Sequence, residues 1–257
     1  STMKRHEMIG IKQAVRLEWI DKTCELLLEN KTEKEIRTVL KDYLSDKMGR
    51  GVIEKRSEAA CNFSISMLMK TWVVPDNELV PLRDEGLNLI HNASEDEKTA
   101  LHFCMLSAAY PFWYNVSAHI GMLLRLQNNV TVKQIIQRTK EMYGDRQTVD
   151  RNTRFVIRSL YYWNLLEETN TAGCYRKGNT INIFSDTLST WMMEAQLHSI
   201  PGGKANLYSL QNNRAMFSFN TRKVSGAFIC KKNNRIDVLQ SGPADEIIML
   251  KYNFSIV

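Results

Sequence analysis

Apolar residues recur every three or four positions along much of the chain, which is the spacing of one face of an α-helix. The first such region predicts three helices, at 11–29, 32–47 and 52–73. Two more helices are predicted at 79–91 and 94–109. Because the connections are short, these helices are expected to pack as a bundle. The pattern therefore predicts a mainly α-helical protein.

Capping boxes locate the start of three of the predicted helices. In a capping box, a Ser or Thr and a Glu or Gln three residues later bond each other's backbone N–H groups. The pairs in this sequence are Thr32 with Glu35, Ser94 with Glu97, and Thr131 with Gln134. They predict helices that begin directly after Thr32, Ser94 and Thr131.

The segment after Pro111 predicts helices and a hairpin in a fixed order. The helices are expected at 112–127, 132–143 and 148–163. The following segment, 165–184, has short apolar stretches on either side of turn-rich residues, as a β-hairpin does. Three helices followed by a hairpin predict a winged helix-turn-helix over residues 116–184.

The pattern changes again after Pro201. Four short apolar segments, rich in Phe, Ile, Val and Met, lie at 214–219, 225–231, 235–240 and 246–252. Turns are expected at 231–234 and 241–243. This tail predicts a small antiparallel β-rich C-terminal element.

These patterns divide the chain into four parts. The predicted parts are an N-terminal helical, helix-turn-helix-like domain (1–74), a helical linker region (75–111), a winged-helix domain (112–200) and the β-rich element (201–257). The predicted fold class is a helical bundle plus a winged helix, with a small β-element at the end.

The helix predicted at 148–163 carries the main candidate site. At about 100° per residue, one face holds an apolar stripe. This stripe consists of Val149, Thr153, Val156, Leu160 and Trp163. Arg151, Arg154 and Arg158 fall on the opposite face, and the planar arginine fork suits both phosphates and guanine edges. We expect this face to contact DNA. A solvated helix face and a protein interface remain the alternatives.

Further DNA contacts are predicted around this helix and at the wing. Arg146 and Gln147 lie at the helix start, where recognition helices meet bases, and Asn152 is another candidate base reader. Arg176 and Lys177 are expected at the tip of the wing, against the phosphate backbone.

A second, weaker candidate lies at the start of the helix predicted at 52–73. Lys55 and Arg56 are placed there to contact phosphates near a helix N-terminus. A solvated helix start is the preferred interpretation of this pair.

Charge and cysteine usage fit this picture. The chain has 257 residues and a formal net charge of +6, a mild basic excess that permits nucleic-acid binding. Its five cysteines are widely spaced, which indicates reduced thiols in a cytoplasmic protein. The sequence lacks clustered metal ligands, nucleotide-binding glycine motifs and the catalytic motifs GxSxG and HExxH, so we expect no cofactor and no enzyme. No apolar stretch is long enough to cross a membrane.

Parts of the sequence resemble a known family. The passage 53–60, which opens a long helix with a basic Lys-Arg-Ser sequence, resembles BrxA-like proteins, small accessory proteins of bacterial BREX phage-defence systems. The helices at 94–109 and 116–163 are similar to the second half of those proteins. The resemblance covers residues 15–168 as a pattern of helices.

The resemblance implies an all-helical protein with winged-helix-like parts that binds DNA beside larger defence enzymes. It implies DNA contacts at Lys55 and Arg56 as well as at 148–163. The β-rich tail after Pro201 departs from the family's pattern.

Two functions are therefore expected. The first is a non-enzymatic, cytoplasmic accessory or regulatory protein that binds double-stranded DNA, in bacterial phage defence. The alternative is a protein-interaction adaptor, which uses the same winged helix and the β-tail to dock a larger defence protein or a second copy of the chain.

Overall fold

The structure is a computed structural model that describes residues 2–46 and 56–251. Its helices in those ranges are α1 (Thr2–Glu7), α2 (Leu17–Leu28), α3 (Glu33–Ser45), α4 (Glu58–Leu68), α5 (Val80–Ile90), α6 (Glu95–Ala109), α7 (Pro111–Leu126), α8 (Val132–Tyr143), α9 (Gln147–Tyr162), α10 (Asp186–Ser199), α11 (Leu207–Gln211) and α12 (Gly226–Lys232). The prediction of a mainly α-helical protein is confirmed.

The strands are short and lie in small sheets. They are β1 (Asn129–Thr131), β2 (Leu166–Glu168), β3 (Cys174–Lys177), β4 (Ile181–Ile183), β5 (Lys204–Asn206), β6 (Phe219–Thr221), β7 (Ile236–Gly242) and β8 (Asp245–Leu250). Antiparallel sheets have the strand orders β1-β3-β2 and β5-β8-β7, whereas β4 and β6 pair in parallel.

The three capping boxes are confirmed. In each one the hydroxyl accepts from the backbone of the third helical residue, whose side chain accepts from the capping residue in return. Because the signal consists of contacts three residues apart, the starts of α3, α6 and α8 are fixed locally.

Two of the N-terminal helix boundaries differ from the prediction. Residues 11–16 are not helical, and α2 begins only at Leu17, because Val15 bonds to α9 instead. The helix expected over 52–73 is an α-helix from Glu58 to Leu68, and it continues as a π-helical turn, Met69–Val73. The predicted residues before Arg56 lie outside the described ranges.

One hydrophobic core connects most of these helices. It extends from Ile11 to Phe219 and includes the buried indoles of Trp72, Trp113 and Trp191. A smaller cluster joins the end of α10 to α11, α12 and the β5-β8-β7 sheet. Arg235 directly precedes β7 and contacts α10, because its guanidinium donates to the buried carboxylate of Glu194 on that helix.

The C-terminal prediction is right for the final hairpin and wrong for the segments before it. Strands β7 and β8 pair antiparallel, but the turn between them is at 243–244 and not at 241–243, because 241 and 242 still belong to β7. However, 225–231 lies largely in α12, which ends at Lys232, so 231–234 is a helix end and not a hairpin turn. Ser225 caps α12. The buried side of α12 packs, through Ile229, in the smaller hydrophobic cluster. In 214–219, a 3-10 turn, Arg214–Met216, replaces most of the predicted strand.

Candidate nucleic-acid interface

Residues 111–177 follow a regular order of elements. Helix α7 leads to strand β1, helices α8 and α9 come next, and the hairpin β2–β3 completes the unit. Strand β1, which lies between α7 and α8, pairs with β3 of the hairpin. The three strands therefore form one antiparallel sheet with β3 in the middle. The three helices and the hairpin were predicted, whereas β1 was expected only as a break between helices.

The connection between α8 and α9 is a tight turn. Gly144 ends α8 with φ of 93°, in the region that favours glycine, and confirms the predicted stop. Arg146 follows as the residue before the first turn of α9, and its guanidinium donates to the carbonyl of Tyr143. Arg146 and Gln147 are both exposed, so they lie where the sequence placed them, at the open N-terminal end of α9.

Helix α9 has the two faces that its sequence predicted. All members of the apolar stripe are buried: Val149, Thr153, Val156, Leu160 and Trp163. On the other side Arg151 and Arg154 are exposed, and Arg158 is half-buried. Packing of the stripe against the core therefore leaves these arginines outside it.

Asn152 corrects the prediction for this helix. Its side chain is only 2% exposed, and its amide donates to the carbonyl of Thr148 one turn earlier. The buried side of α9 is wider than the stripe of apolar residues, because Asn152 and Ser159 are buried in it as well. Asn152 is thus not available to read a base in this conformation.

Carboxylates neutralise part of the basic face. Arg154, which is 57% exposed, donates to Asp150 over 2.7 Å, one helical turn away. At the turn before α9, Lys140 pairs with Asp145 at 2.9 Å. Arg151 has no ion-pair partner in the described ranges, so its charge is the most available on α9.

The β2–β3 hairpin, which was predicted to be the wing, differs from its prediction in two ways. Its chain reversal is at 169–173, so Arg176 and Lys177 lie at the far end of β3 and not at the tip. The segment 180–184 does not belong to the hairpin, because β4 within this segment pairs with β6 and not with β3.

Arg176 also faces away from α9. Successive side chains on a strand point to opposite faces, and its neighbour Tyr175 packs against Tyr161 of α9. Arg176 instead pairs with Glu167 across the hairpin at 2.8 Å. Lys177 is exposed at the end of the same strand.

The C-terminal half of α9 is covered by the N-terminal segment. The backbone N–H of Val15 donates to Ser159, and the indole of Trp163 donates to the Val15 carbonyl, each over 2.8 Å. Beside this contact Arg16 stacks on Tyr162, with its guanidinium 3.8 Å from the ring centroid. Arg16 adds a cation to the end of α9 that sequence reasoning missed, because no local pattern joins residues so far apart.

Of the two residues in the second predicted contact, Lys55 and Arg56, the structure describes only Arg56. Lys55 lies outside the described residues. Arg56 does not point outward as a helix-start cation should, because its guanidinium lies 4.5 Å from the centroid of the Trp19 ring and donates to Ser64. Partial burial lowers the pKa of Arg56 from its ordinary value.

His102 is the most enclosed histidine with charged neighbours, but both of its ring nitrogens are occupied. The Trp72 indole donates to Nδ1 over 3.1 Å, so Nδ1 is the acceptor and Nε2 carries the proton toward Asp21. A base needs a free lone pair, and this ring offers none.

Within the described ranges, no group of three His, Cys, Asp or Glu side chains is placed to hold a metal ion.

Comparisons with known proteins do not identify the chain: no family model, curated protein or solved structure matches it. Among the described residues, none of the helices combines the length and apolar character that a membrane crossing requires.

Proposed function

We propose that residues 111–177 form a winged helix that binds double-stranded DNA, with α9 as its recognition helix. The order helix, strand, two helices and hairpin, closed by a β1-β3-β2 sheet, supports this proposal most directly. In helix-turn-helix proteins the second helix of the motif enters the major groove with its N-terminal residues foremost. The exposed N-terminal half of α9 is the corresponding part of this chain.

The side chains of α9 support the same function. Arg146, Gln147 and Arg151 lie exposed along its first two turns. Arginine suits this role because its planar fork bonds phosphate oxygens or guanine edges in pairs. Arg154 is held by Asp150, and it can exchange this exposed partner for a phosphate at little cost, since an exposed ion pair contributes only about 0–1 kcal/mol.

The experiment is a DNA shift assay across salt concentrations with a triple variant, Arg151→Ala, Arg154→Ala and Arg158→Ala. Affinity for duplex DNA should fall about 100-fold or more, because several arginines that bind phosphates or bases are removed. The slope of log affinity against log salt should become shallower by about 0.9 for each phosphate that the variant no longer neutralises.

Helix α3 provides a matched control. Lys34, Arg37 and Lys41 have the same spacing as the three arginines of α9, and all three are exposed. Replacing them with Ala removes the same charge from a helix outside residues 111–177 and should change DNA affinity by less than about threefold, because no proposed contact with DNA is removed. Equal effects of the two triple variants would reject α9 as the interface.

A role beside larger proteins of bacterial phage defence is a further part of the proposal. It is supported by the resemblance of residues 15–168 to the BrxA-like family. We propose a non-enzymatic, cytoplasmic accessory protein. Loss of phage protection in bacteria that carry the α9 triple variant, with normal protein levels, is the expected result when the variant replaces the wild-type chain.

One observation favours the adaptor as a second candidate. Among the described residues, strand β7 is at the edge of its sheet, and Leu239 on it is 54% exposed. A strand with a free edge can accept a strand from a partner. If the chain is an adaptor, Leu239→Lys should abolish a complex or a homodimer seen by light scattering, and wild-type protein should not shift DNA at low salt.

A further inference from the structure

A cleft beside α7 combines two arginines with a tyrosine hydroxyl. The cleft has a volume of about 480 Å³, within the usual range for small-molecule sites. It lies between α7, α11 and the Arg214–Met216 turn. We call it the α7–α11 cleft. Its principal lining residues are Tyr114, Arg125, Ile200, Tyr208, Asn213 and Arg214.

The packing of a turn on α7 builds this cleft. Tyr114, Gly121 and Arg125 lie on one face of α7, separated by seven and four residues. The carbonyl of Arg214 approaches Gly121 so closely that a Cβ at this position would collide with it. The missing side chain thus lets the turn rest on α7 between Tyr114 and Arg125, with Arg214 beside both.

A chain of hydrogen bonds fixes the orientation of the Tyr114 hydroxyl. Gln196 donates to the carbonyl of Met192, so its oxygen accepts from the Asn213 amide over 2.9 Å. The oxygen of Asn213 accepts from the backbone N–H of Ala215, which fixes which end of that amide is the donor. Its nitrogen also donates to the Tyr114 hydroxyl over 2.6 Å.

The Tyr114 hydroxyl is consequently an acceptor in this chain and still has its own proton to donate. No described residue accepts that proton, although the residue is buried and lines the cleft. Burial raises the pKa of Tyr114 to about 12, so the donor is retained at neutral pH. A ligand in the cleft that presents an acceptor would complete the chain.

The charges around this donor select an anion. Arg125 and Arg214 have no ion-pair or hydrogen-bonding partner for their guanidinium groups in the described ranges, and the cleft is lined by no described acidic residue. Arginine forks match the oxygens of a phosphate. Tyr208 adds a ring that is 73% exposed, which suits stacking of a planar base.

We propose that the α7–α11 cleft binds a phosphate monoester joined to a nucleobase, with Arg125, Arg214 and the Tyr114 hydroxyl on the phosphate and Tyr208 against the base. A free nucleotide and the 5′-phosphorylated end of a nucleic acid both present this chemistry. The site is separate from the arginine face of α9, since no residue of α9 lines it.

The test is calorimetric titration of the full chain with AMP, adenosine and inorganic phosphate. AMP should bind more tightly than adenosine or phosphate by at least tenfold, because only AMP engages both the arginines and Tyr208. The double variant Arg125→Gln, Arg214→Gln should weaken AMP binding by at least tenfold. No binding of AMP at millimolar concentration, or equal binding by the double variant, would overturn the proposal.

Three further arms make the result specific. The double variant Arg37→Gln, Arg222→Gln removes two exposed arginines elsewhere and should bind AMP as the wild type does. Tyr114→Phe should weaken AMP binding about fivefold or more, and its thermal unfolding shows whether the loss of the Asn213 bond has altered the fold. The α9 triple variant should bind AMP normally, so this cleft and the DNA interface are tested separately.

A pair of oligonucleotides distinguishes the two sources of the phosphate. A single strand with a 5′-phosphate that binds at least tenfold more tightly than AMP, in a manner that requires Arg125 and Arg214, identifies a nucleic-acid end as the ligand. Equal or weaker binding than AMP identifies a free nucleotide. Binding of the 5′-hydroxyl strand as tightly as the phosphorylated one contradicts recognition of a phosphate monoester.

Discussion

Helix α9 and the start of α4 are both basic in sequence, but the structure uses their arginines in different ways. On α9, Arg151 and Arg154 extend from the side opposite the core. Before α4, Arg56 folds back over the buried ring of Trp19 and bonds within its own helix. The comparison teaches that the position of an arginine in a helix does not decide whether a ligand can reach it: Arg56 is held by a buried aromatic ring and by Ser64, whereas the partners of the α9 arginines are exposed and exchangeable.

The difference has a physical origin in what lies beside each helix. Trp19 of α2 places an aromatic face next to Arg56, and a guanidinium over such a face gains about 0.5–2 kcal/mol. The partner of Arg154 is instead Asp150, a carboxylate on the surface of α9 itself. An exposed carboxylate binds an arginine weakly, so this arginine remains exchangeable.

The largest expected effect concerns the buried side of α9. Leu160→Ala should lower the free energy of unfolding by about 2–5 kcal/mol, because this fully buried side chain leaves a cavity when it is truncated. Urea denaturation measures the loss. Arg154→Ala on the exposed side is the control and should change stability by no more than about 0.5 kcal/mol. Similar losses in both variants would contradict the two-faced description of α9.

The next effect separates the two basic regions directly. Arg56→Ala should lower the free energy of unfolding by about 1–3 kcal/mol, since the variant can neither stack on Trp19 nor bond to Ala60 and Ser64. Its affinity for DNA, measured by fluorescence anisotropy on folded protein, should change by less than about twofold.

Arg151→Ala is the matched substitution on α9 and should show the reverse pattern. Its stability should stay within about 0.5 kcal/mol of the wild type, because the side chain is exposed. Its DNA affinity should fall about fivefold or more, because one arginine that contributes about 1 kcal/mol or more to binding is removed. If Arg56→Ala weakened DNA binding more than Arg151→Ala did, the comparison would be wrong.

The smallest expected effect concerns the acid on α9. Asp150→Asn frees Arg154 and removes one negative charge from the face, so DNA affinity should rise about threefold at low salt. Stability should fall by only a few tenths of a kcal/mol, because an exposed pair one helical turn apart contributes that much. Asp84→Asn, which removes an exposed carboxylate that pairs with the largely covered Arg83, should leave affinity unchanged. A decrease with Asp150→Asn would indicate that the carboxylate itself positions the arginine for DNA.

Several features of the candidate interface were predictable because their causes are local. The capping box of Thr131, the stop at Gly144 and the apolar stripe of α9 depend on residues within one or two turns of each other. The positions of Arg146 and Gln147 at the start of α9 follow from the same short-range signals.

Other features depend on partners that the sequence does not place. The parallel pairing of β4 with β6 joins segments 181–183 and 219–221, and it removes β4 from the expected wing. Asn152 is buried because the core surrounds α9 beyond its apolar stripe. A helical wheel gives the direction of a side chain but not the width of the surface that covers it.

By itself the sequence determined the mainly helical character of this protein, three exact helix starts and the side of α9 on which its arginines lie. These properties follow from hydrogen bonds and apolar spacing within a few residues. Only the tertiary structure decided which cations stay available, since Val15 covers the end of α9 and Trp19 holds Arg56. The reason is that availability depends on contacts between segments distant in the chain, and their energies come from packing and not from local pattern.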